Sequence, residues 1–420
     1  MQANTNQADP NSWSYWTNIH INRCPHGIAY FLSWHRGYLY YFERQLRLVS
    51  GDSRLVLPYW DYYSYATLPA EFTNASSTNP LYVARLNTNV RQALTLAPFS
   101  SALVNFQRGL NNAFEPVLES APHNPVHDII GNVMATMRSP TDPIFWLHHA
   151  NVDRLWAAWI NAGGGRQMPA RTDLYWSGVH TYNGTLSIQK RITYDTRSSL
   201  QYYYQSEVMP TRVPIAHLSP GKVFRVQADE SEPSAPVPQS GAFRVSGRKS
   251  TGDATFSIGG ALAIGLDQRS VSVQFPISPE DWSAVQEIAR GNAGAVRGSA
   301  KKYKSVEIVL DNVELADEGK TGGYYYQVYL NLPSVGGAWN RTKSLLIGTL
   351  GAFQISGAMQ QNGAAQLRFA ISRRLLRDPA LRLGMASISF MRVDGDISPR
   401  GATVGIGEAR LEISTEDKDS

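Results

Sequence analysis

The histidines of this sequence fall into two groups. Four of the nine lie between Glu119 and Arg154, and three more, His20, His26 and His35, lie near the N-terminus. Imidazole is the commonest metal ligand among side chains and titrates close to neutral pH. Two separated groups that can each supply three nitrogens therefore predict two metal ions held side by side.

The spacing within the later group suggests how one ion could be bound. His123 and His127 are four residues apart, so on a helix they share one face. The adjacent pair His148 and His149 could add the third nitrogen from the next helix. Neighbours in a helix point about 100° apart, so only one of this pair is expected to bind the metal. The other is interpreted as a packing residue or as a partner of a ligand, and an isolated HxxxH pair would also fit buried, hydrogen-bonded histidines.

The ligand types favour one metal. Helical di-iron and di-manganese sites use several carboxylates, whereas both histidine groups here are nearly free of them. Six neutral imidazoles favour copper, with zinc as the less favoured choice. Two copper ions with three nitrogens each leave open positions for dioxygen, which is therefore the expected co-substrate.

Helical periodicity indicates the elements that hold these residues. Apolar residues recur at helical spacing from Phe31 to Val49, and Gly51 is the expected end of this helix, which puts His35 on its buried face. Residues 87–114 also show helical spacing, with a break at a proline.

The later histidines are expected on two further helices. One is predicted to begin at Pro122, where a missing N–H costs nothing. The next is predicted to begin at Asp142 and to run through Trp159. Asp153 and Arg154 are expected to form buried hydrogen bonds beneath it.

A change in composition divides the chain. Residues 207–240 are rich in proline, serine and mixed charge, which is typical of a linker. Residues 1–206 are predicted to form a mainly α-helical domain. Residues 241–420 contain short β-type runs separated by turn residues, which predict an antiparallel β-sandwich. A length of 420 residues fits two domains.

Composition limits the partners and the location. The net charge of +5 comes without a lysine or arginine block, so no nucleic-acid partner is predicted. No apolar run is long enough for a membrane span. The N-terminus lacks the features of a signal peptide, so we expect a cytoplasmic protein, or an exported one whose leader is absent from this chain. Cys24 is the single cysteine, and the oligomeric state is not indicated.

Two segments carry a family resemblance. HRGYLYYFERQLR, from His35, and DPIFWLHHANVDRLW, from Asp142, resemble the two signature segments of the tyrosinase and polyphenol oxidase family. Together with PHNPVH at residues 122–127, the resemblance covers about residues 10–160. It implies a coupled dicopper centre in a four-helix core, with dioxygen and small phenols as substrates.

The resemblance also implies the ligands. The first copper would be held by His20, His26 and His35, and the second by His123, His127 and His149, because the second histidine of the family's HH pair is the ligand. Some family members join a cysteine to a ligand histidine through a thioether at C-x-H spacing. Cys24 and His26 are therefore a candidate crosslink, and a free buried thiol is the alternative.

Hydroxylation of a monophenol needs a base near the metals. The candidate is a water held by Glu119 and Asn124, with Glu115 as the alternative carboxylate. A capping or surface role for Glu119, and a first-turn role for Asn124, are the alternatives without a catalytic function.

Four further residues are candidates for the substrate pocket. By resemblance, Thr136 occupies the position of a gate above the first copper, with Met137 beside it. Asp128 either binds a cationic substrate group or orients a histidine, and Phe145 is expected to pack over the metals.

The predicted function is a dicopper phenol oxidase that converts o-diphenols to o-quinones and hydroxylates monophenols. A strict catechol or o-aminophenol oxidase and a hemocyanin-like oxygen-binding protein are the alternatives. The C-terminal half resembles the β-domain that covers the active site in relatives and inserts a side chain as a plug. If it does so here, cleavage within residues 230–241 should raise activity.

Overall fold

The computed structural model describes residues 1–76, 78–214, 244–331, 344–362, 365–371, 373–376 and 385–417. Helices and irregular chain make up the part before residue 214, and strands dominate after residue 244. Most of the predicted linker, and the whole predicted cleavage segment 230–241, lie outside the described residues. No helix in the described ranges is both long and apolar enough to cross a membrane.

The helices of the N-terminal part carry the histidines. They are α1 (Trp13–Arg23), α2 (Phe31–Ser50), α3 (Ala70–Thr73), α4 (Phe114–Leu118), α5 (Asn124–Ile130) and α6 (Ile144–Asn161). The predictions of α2 and α6 are confirmed. Gly51 ends α2 with φ of 72°, a left-handed conformation that glycine adopts without a steric penalty. The Asp142 carboxylate accepts the N–H of Ile144, the first residue of α6, but the N-cap position is Pro143, one residue after the predicted cap.

The helix predicted to begin at Pro122 begins two residues later. Ala121 has an extended backbone, with φ of −160° and ψ of 130°, which separates the preceding turn from α5. His123 is consequently the N-cap of α5, and His127 lies on its first full turn. The two histidines still point to one side, because the N-cap is followed directly by helical residues.

Residues 87–114 do not form the predicted helix. They contain two short 3₁₀ turns, Arg91–Ala93 and Ala97–Phe99, joined by irregular chain. Apolar side chains such as Val90 and Phe106 are buried in the helical core. Their helix-like spacing therefore reflects the packing of irregular chain against the helices.

A buried ion pair ties α2 to α6. Arg36 Nε donates to Asp153 at 2.6 Å, and the Arg36 guanidinium lies 3.3 Å from the centre of the Trp156 ring. The hydroxyls of Tyr202 and Tyr204 also donate to Asp153. Removing one member of such a buried pair typically costs about 3–5 kcal/mol, so the pair fixes the relative positions of the two helices.

The C-terminal part contains two antiparallel sheets that share one hydrophobic core. One sheet has the order β10, β7, β12, β5, β3, with β4 paired to β5; the other has the order β6, β11, β8, β9. The strands are β3 (Arg244–Ser246), β4 (Lys249–Ser250), β5 (Thr255–Leu266), β6 (Val271–Pro276), β7 (Ser305–Leu315), β8 (Tyr324–Asn331), β9 (Ser344–Gly351), β10 (Ala365–Ala370), β11 (Met385–Asp394) and β12 (Val404–Ser414), following β1 (Val179–Thr181) and β2 (Ser187–Gln189) earlier in the chain.

Three helices accompany these sheets: α7 (Pro279–Ala289), α8 (Ala352–Asn362) and α9 (Arg373–Leu376). Ser278 caps α7, since its Oγ accepts the N–H of Asp281 at 3.1 Å. Strand β5 contains three glycines, a residue type that often marks turns in a sequence. One of them is required by strand pairing, since a Cβ on Gly260 would lie 2.5 Å from the Ala409 carbonyl oxygen of β12.

The two parts of the chain meet at a hydrogen-bonded interface. The Thr349 hydroxyl donates to the Ser120 carbonyl at 2.7 Å, and the Tyr325 hydroxyl donates to the carbonyl of Gln92 at 2.8 Å. The N–H of Gly323 donates to the Asp128 carbonyl at 2.6 Å. The end of β9 and the start of α8 are thereby held against α5, next to the histidines.

Candidate metal centre

Helices position four of the six predicted ligands. His20 lies on α1, His35 on α2, His127 on α5 and His149 on α6, while His26 lies in the loop between α1 and α2 and His123 caps α5. All six histidines are buried or nearly so. The first helix had no sequence signal beyond an aromatic-rich stretch, yet it extends to Arg23 and includes His20.

The donor atoms form two clusters. Within each cluster, one ligand atom from every residue lies within 4.8 Å of the others; the first contains His20, Cys24, His26 and His35, and the second contains His123, His127, His148 and His149. The closest nitrogens in the first cluster are His20 Nε2 and His26 Nε2, 3.3 Å apart. In the second, His149 Nε2 lies 3.4 Å from Nε2 of both other predicted ligands.

The two clusters adjoin each other. The rings of His35 and His149 stack with centroids 4.2 Å apart and an angle of 13° between their planes. The rings of His26 and His123 also stack, at 5.6 Å and 23°. Each pair joins one cluster to the other, so ions bound in the two clusters would be neighbours.

Hydrogen bonds set the direction of four predicted ligands. Each of these rings binds an oxygen through Nδ1: His20 to Met137 O at 2.9 Å, His35 to Phe31 O at 2.8 Å, His127 to Met134 O at 2.9 Å and His123 to Asn124 Oδ1 at 2.8 Å. A carbonyl oxygen can only accept, so each Nδ1 carries the proton and each Nε2 keeps its lone pair. The four Nε2 atoms are thereby prepared as metal ligands.

Burial keeps these imidazoles neutral. It lowers the pKa of His20, His35, His123, His127 and His149 well below the usual value, and the neighbouring imidazoles lower each of these pKa values further. A neutral ring is the form that binds a metal. A donor set of imidazole nitrogens, without a carboxylate in either cluster, fits copper.

His148 lies closer to the metal centre than its sequence position suggests. Its ring stacks on His123 at 5.3 Å and 19°, and its centroid is 4.8 Å from that of His127. Neighbouring residues of a helix point about 100° apart. The rings of His123 and His127 nevertheless lie near both His148 and His149, so His148 also borders the second cluster. Within the described part of the chain neither nitrogen of His148 has a hydrogen-bond partner, and burial lowers its pKa to about 3. The second cluster thus contains four nitrogens.

Cys24 is a free, buried cysteine in the first cluster. Its Sγ lies 3.3 Å from His35 Nε2. His26, the partner of the predicted thioether, belongs to the same cluster, but the contact of Sγ is with His35. The crosslink between Cys24 and His26 stays a prediction.

Glu119 lies beside the first cluster. One carboxylate oxygen accepts the N–H of Gly27 at 2.7 Å and lies 3.5 Å from His26 Nδ1; the other accepts from the guanidinium of Arg108. Burial alone would raise the pKa of Glu119, but Arg108 and His26 outweigh it, so the pKa is lowered. Glu119 is therefore an anion held against His26, whereas Asn124 contacts His123 in the other cluster.

Glu115, the alternative carboxylate, supports the protein backbone. Its two oxygens accept the N–H groups of Leu32 and Arg108, both at 3.2 Å. Burial raises its pKa to about 7. Since Leu32 is the second residue of α2, Glu115 caps the helix that carries His35.

Four residues were predicted to line the substrate pocket, and one of them, Phe145, packs its ring on both clusters. Its centroid is 4.2 Å from that of His149 and 5.1 Å from that of His20. Thr136 uses its hydroxyl in a local turn, where it donates to the carbonyl of Val133. Met137 is buried and contributes its carbonyl oxygen to His20, as described above.

Phe353, at the start of α8, is the residue that sequence patterns missed. Its ring stacks on His127 at 3.9 Å and 8°, and lies 4.9 Å from His26 and 5.6 Å from His123. It comes from the C-terminal part of the chain, more than 200 residues from these histidines in sequence. Only the weak resemblance to relatives with a plug pointed to such a residue.

Asp128 anchors this phenylalanine. Asp128 Oδ1 accepts the N–H of Phe353 at 2.8 Å. Burial raises the pKa of Asp128 to about 8, although the N–H groups of Phe353 and Ala352 act in the opposite direction. Among the described residues, the N–H of Phe353 is the one donor that forms a hydrogen bond of normal geometry with this carboxyl group, and Oδ2 has no partner there.

The segment that holds both histidine clusters is similar to known proteins. The family model for the common central domain of tyrosinase matches residues 4–105 and 65–162. The N-terminal part of the chain carries the common central domain of tyrosinase. The matched segments include both histidine clusters, and the expectation of two copper ions follows from the family together with the nitrogen donors.

Relatives match mainly this part of the chain. Tyrosinase HcTyr1 of Hahella sp. (strain CCB-MM4) is 36% identical over 185 residues, which are 35% of this chain and 40% of the relative. A tyrosinase of Streptomyces glaucescens is 34% identical over 178 residues, 33% of this chain and 64% of the relative. The matches thus span less than two thirds of either relative.

A solved structure matches over both parts. Latent aurone synthase (polyphenol oxidase) from a natural source superposes with a TM-score of 0.50 and 17% identity, covering 97% of this chain and 85% of that one. At this identity the likeness concerns the fold alone. The order of a helical part followed by a β-rich part is therefore shared.

Proposed function

We propose that this protein is a copper-dependent phenol oxidase that uses dioxygen to oxidise o-diphenols to o-quinones and to hydroxylate monophenols at the ortho position. The observation that carries the proposal is the stacking of His35 on His149, which brings two clusters of neutral, buried nitrogens together. The match to the common central domain of tyrosinase supports it. When bound, a pair of copper ions would supply the activation of dioxygen.

Six histidines would hold these ions: His20, His26 and His35 the first, and His123, His127 and His149 the second. Helices α1, α2, α5 and α6 form the proposed four-helix core, within a domain of residues 1–206. The buried pair of Arg36 and Asp153 keeps two of these helices in register. Residues 207–240 would then be the linker, and residues 241–420 a β-sandwich that covers the site.

Glu119 and Asn124 would handle the substrate proton through a shared water. Glu119 is an anion next to His26, Asn124 is hydrogen-bonded to His123, and the rings of these two histidines stack on each other. A water between them would be well placed to accept the phenol proton. Both carboxylate oxygens of Glu119 already accept hydrogen bonds, one from the N–H of Gly27 and one from Arg108. This observation favours a second candidate function, that of a catechol oxidase without hydroxylase activity.

Oxygen uptake with a monophenol and with its matching diphenol separates the two candidates. The copper-loaded protein is expected to oxidise 4-methylcatechol rapidly and p-cresol more slowly, after a lag that a trace of the catechol shortens. If only the catechol is oxidised, even after this priming, the protein is a catechol oxidase without hydroxylase activity. Reversible oxygen binding without turnover of either phenol would contradict both enzymes and favour an oxygen-binding protein.

The C-terminal part is proposed to hold the enzyme in a covered form, with Phe353 as the plug. Its ring lies over three predicted ligands from both clusters, and its residue is almost completely buried. A phenolic ring could not occupy the same space. Phe353→Ala should therefore raise the rate of catechol oxidation by the full chain at least about tenfold.

Phe353→Leu is the matched control, because leucine keeps an apolar side chain of similar reach over the histidines. The leucine variant is expected to stay close to the unmodified protein in rate. Equal rates for the unmodified protein and the alanine variant, at equal copper content, would contradict the role of Phe353 as a plug.

A further inference from the structure

A chain of aromatic rings runs from the first histidine cluster to the surface of the protein. Trp34 begins the chain, since the centre of its ring lies 5.0 Å from that of His35. The next ring centres are 4.9 Å apart between Trp34 and Tyr38, 6.0 Å between Tyr38 and Trp16, and 5.4 Å between Trp16 and Tyr15. Tyr15 is only partly buried, whereas the other three rings are buried. Indole and phenol rings are among the side chains that lose a single electron most readily, so this chain can conduct electrons between the cluster and solvent.

The hydroxyl groups show where an electron vacancy in this chain would come to rest. The Tyr38 hydroxyl donates to the carbonyl oxygen of Trp16 at 2.6 Å. A carbonyl oxygen accepts a hydrogen bond but is too weak a base to take the proton, so Tyr38 keeps it. The Tyr15 hydroxyl instead accepts a hydrogen of Asn183 Nδ2 at 2.6 Å, which leaves its own proton for water. A neutral tyrosyl radical can therefore form at Tyr15, the outer end of the chain.

Tyr15 lines a groove on the exposed side of α1. The groove has a volume of about 470 Å³, and all of its lining residues belong to the N-terminal part of the chain. Asn18 and Asn22 contribute side-chain amides, Arg23 contributes a positive charge, and no acidic residue of the described ranges lines the groove. Among the ion pairs found in those ranges, none involves Arg23. A cation among amide groups suits a small anion that carries hydroxyl groups.

A second groove lies beside the first cluster, away from Phe353. Its volume is about 560 Å³, and Cys24, Met137 and Gly357 are among its lining residues, whereas Phe353 is not. Cys24 Sγ contacts His35 Nε2, so the groove borders a residue that touches a predicted ligand. Hydrogen peroxide is small enough to approach the cluster from this side, even while Phe353 covers the site.

We propose that the groove at Tyr15 binds a small anionic reductant such as ascorbate, and that the aromatic chain carries its electrons, one at a time, to the first cluster. The oxidant is a peroxide at the copper-loaded site, which takes up two electrons and two protons and becomes two molecules of water. Two ascorbate anions supply them, and each loses one electron and one proton to become an ascorbyl radical. Tyr15 is oxidised and reduced again with each electron. This inference rests on copper in the first cluster and not on the oxidation of phenols.

Consumption of ascorbate in the presence of hydrogen peroxide measures this activity in the full copper-loaded chain, freed of unbound copper. Tyr15→Phe should lower kcat about tenfold without changing KM for ascorbate, because phenylalanine keeps the ring but resists oxidation. Arg23→Gln should raise KM about tenfold without changing kcat, because it removes only the charge that binds the anion.

Tyr41→Phe is the matched control, since Tyr41 lies on α2, its ring contacts Tyr182 and it does not line the groove. This variant is expected to match the unmodified protein in kcat and KM. An unchanged kcat in Tyr15→Phe, or an equal loss in Tyr41→Phe, would overturn the proposal.

Electron paramagnetic resonance detects the chain without turnover of ascorbate. The copper-loaded protein, frozen after peroxide is added alone, should show a tyrosyl radical that Tyr15→Phe and Trp34→Phe each abolish at equal copper content. Absence of the radical in the unmodified protein, or its persistence in Tyr15→Phe, would contradict the chain. This readout does not depend on whether the protein oxidises a catechol, so the chain and the proposed phenol oxidase function can fail separately.

Calorimetry with ascorbate on the copper-free protein tests the groove alone, because no electron can then be passed to a metal. Binding is expected, and Arg23→Gln should weaken it about tenfold. Absence of binding, or binding that Arg23→Gln leaves unchanged, would contradict the groove as the site of the reductant.

Discussion

The two histidine clusters are built in different ways. The second takes its ligands from α6, from α5 and from the N-cap of α5, and all of them are fully buried. The first includes His26, which lies in a loop, retains some exposure and is held by Glu119 rather than by a helix. The second cluster is therefore shaped mainly by helix packing, whereas the first depends on a loop and on the charged groups that hold it.

Loss of one ligand is expected to have the largest effect. His26→Ala and His149→Ala should each leave about one copper ion per chain and lower catechol oxidation by roughly a thousandfold, because the proposed reaction needs both ions. Metal analysis and quinone absorbance measure the two effects. His180→Asn is the control, since His180 is buried outside both clusters and bonds to Ser33.

One outcome of this experiment would change the ligand assignment of the second cluster. If His149→Ala retains two ions, the fourth nitrogen of the second cluster, on His148, is able to replace the missing one. The assignment of three ligands to the second copper would then be wrong.

Copper removal should affect the clusters unequally. We expect hydrogen exchange at the amides of His26 and Gly27 to accelerate at least about tenfold in the copper-free protein, because the N–H of Gly27 donates to the Glu119 carboxylate rather than to a helix carbonyl. The amides of α6 should change little, since α6 is buried along most of its length. Exchange measured by mass spectrometry, with β12 as the internal reference, tests this difference, and equal acceleration in the loop and in α6 would contradict it.

The side chains that orient the ligands should give smaller and selective effects. Glu119→Gln is expected to weaken binding of the first copper about tenfold, and Asn124→Ala binding of the second by a similar factor. Stepwise copper titration against a competing chelator resolves the two affinities. A change in the same site for both variants would refute the separate roles of these side chains.

Sequence patterns predicted the parts that depend on local regularity. The apolar period and Gly51 located α2, and Asp142 located the start of α6, because caps and periodicity act over a few residues. The prediction for residues 87–114 was wrong because buried irregular chain can imitate a helical period. Turn signals mislead in the same way in β5, where Gly260 lies in close strand contact rather than in a turn.

The sequence predicted the histidine ligands of the metal centre but not the side chains that pack over them. Histidine spacing and the two signature segments indicated the two groups of ligands. The positions of Phe353 and His148 depend on how distant elements pack, which no local pattern encodes. The same applies to Asp128, whose carboxylate meets a backbone more than 200 residues away in sequence.

Anomalous diffraction at the copper edge, from crystals of the copper-loaded protein, tests the proposed pair of copper sites most directly. We expect two peaks per chain, one among Nε2 of His20, His26 and His35 and the other among Nε2 of His123, His127 and His149. A single peak, or a metal bound through Cys24 or His148 in place of one of these nitrogens, would contradict it.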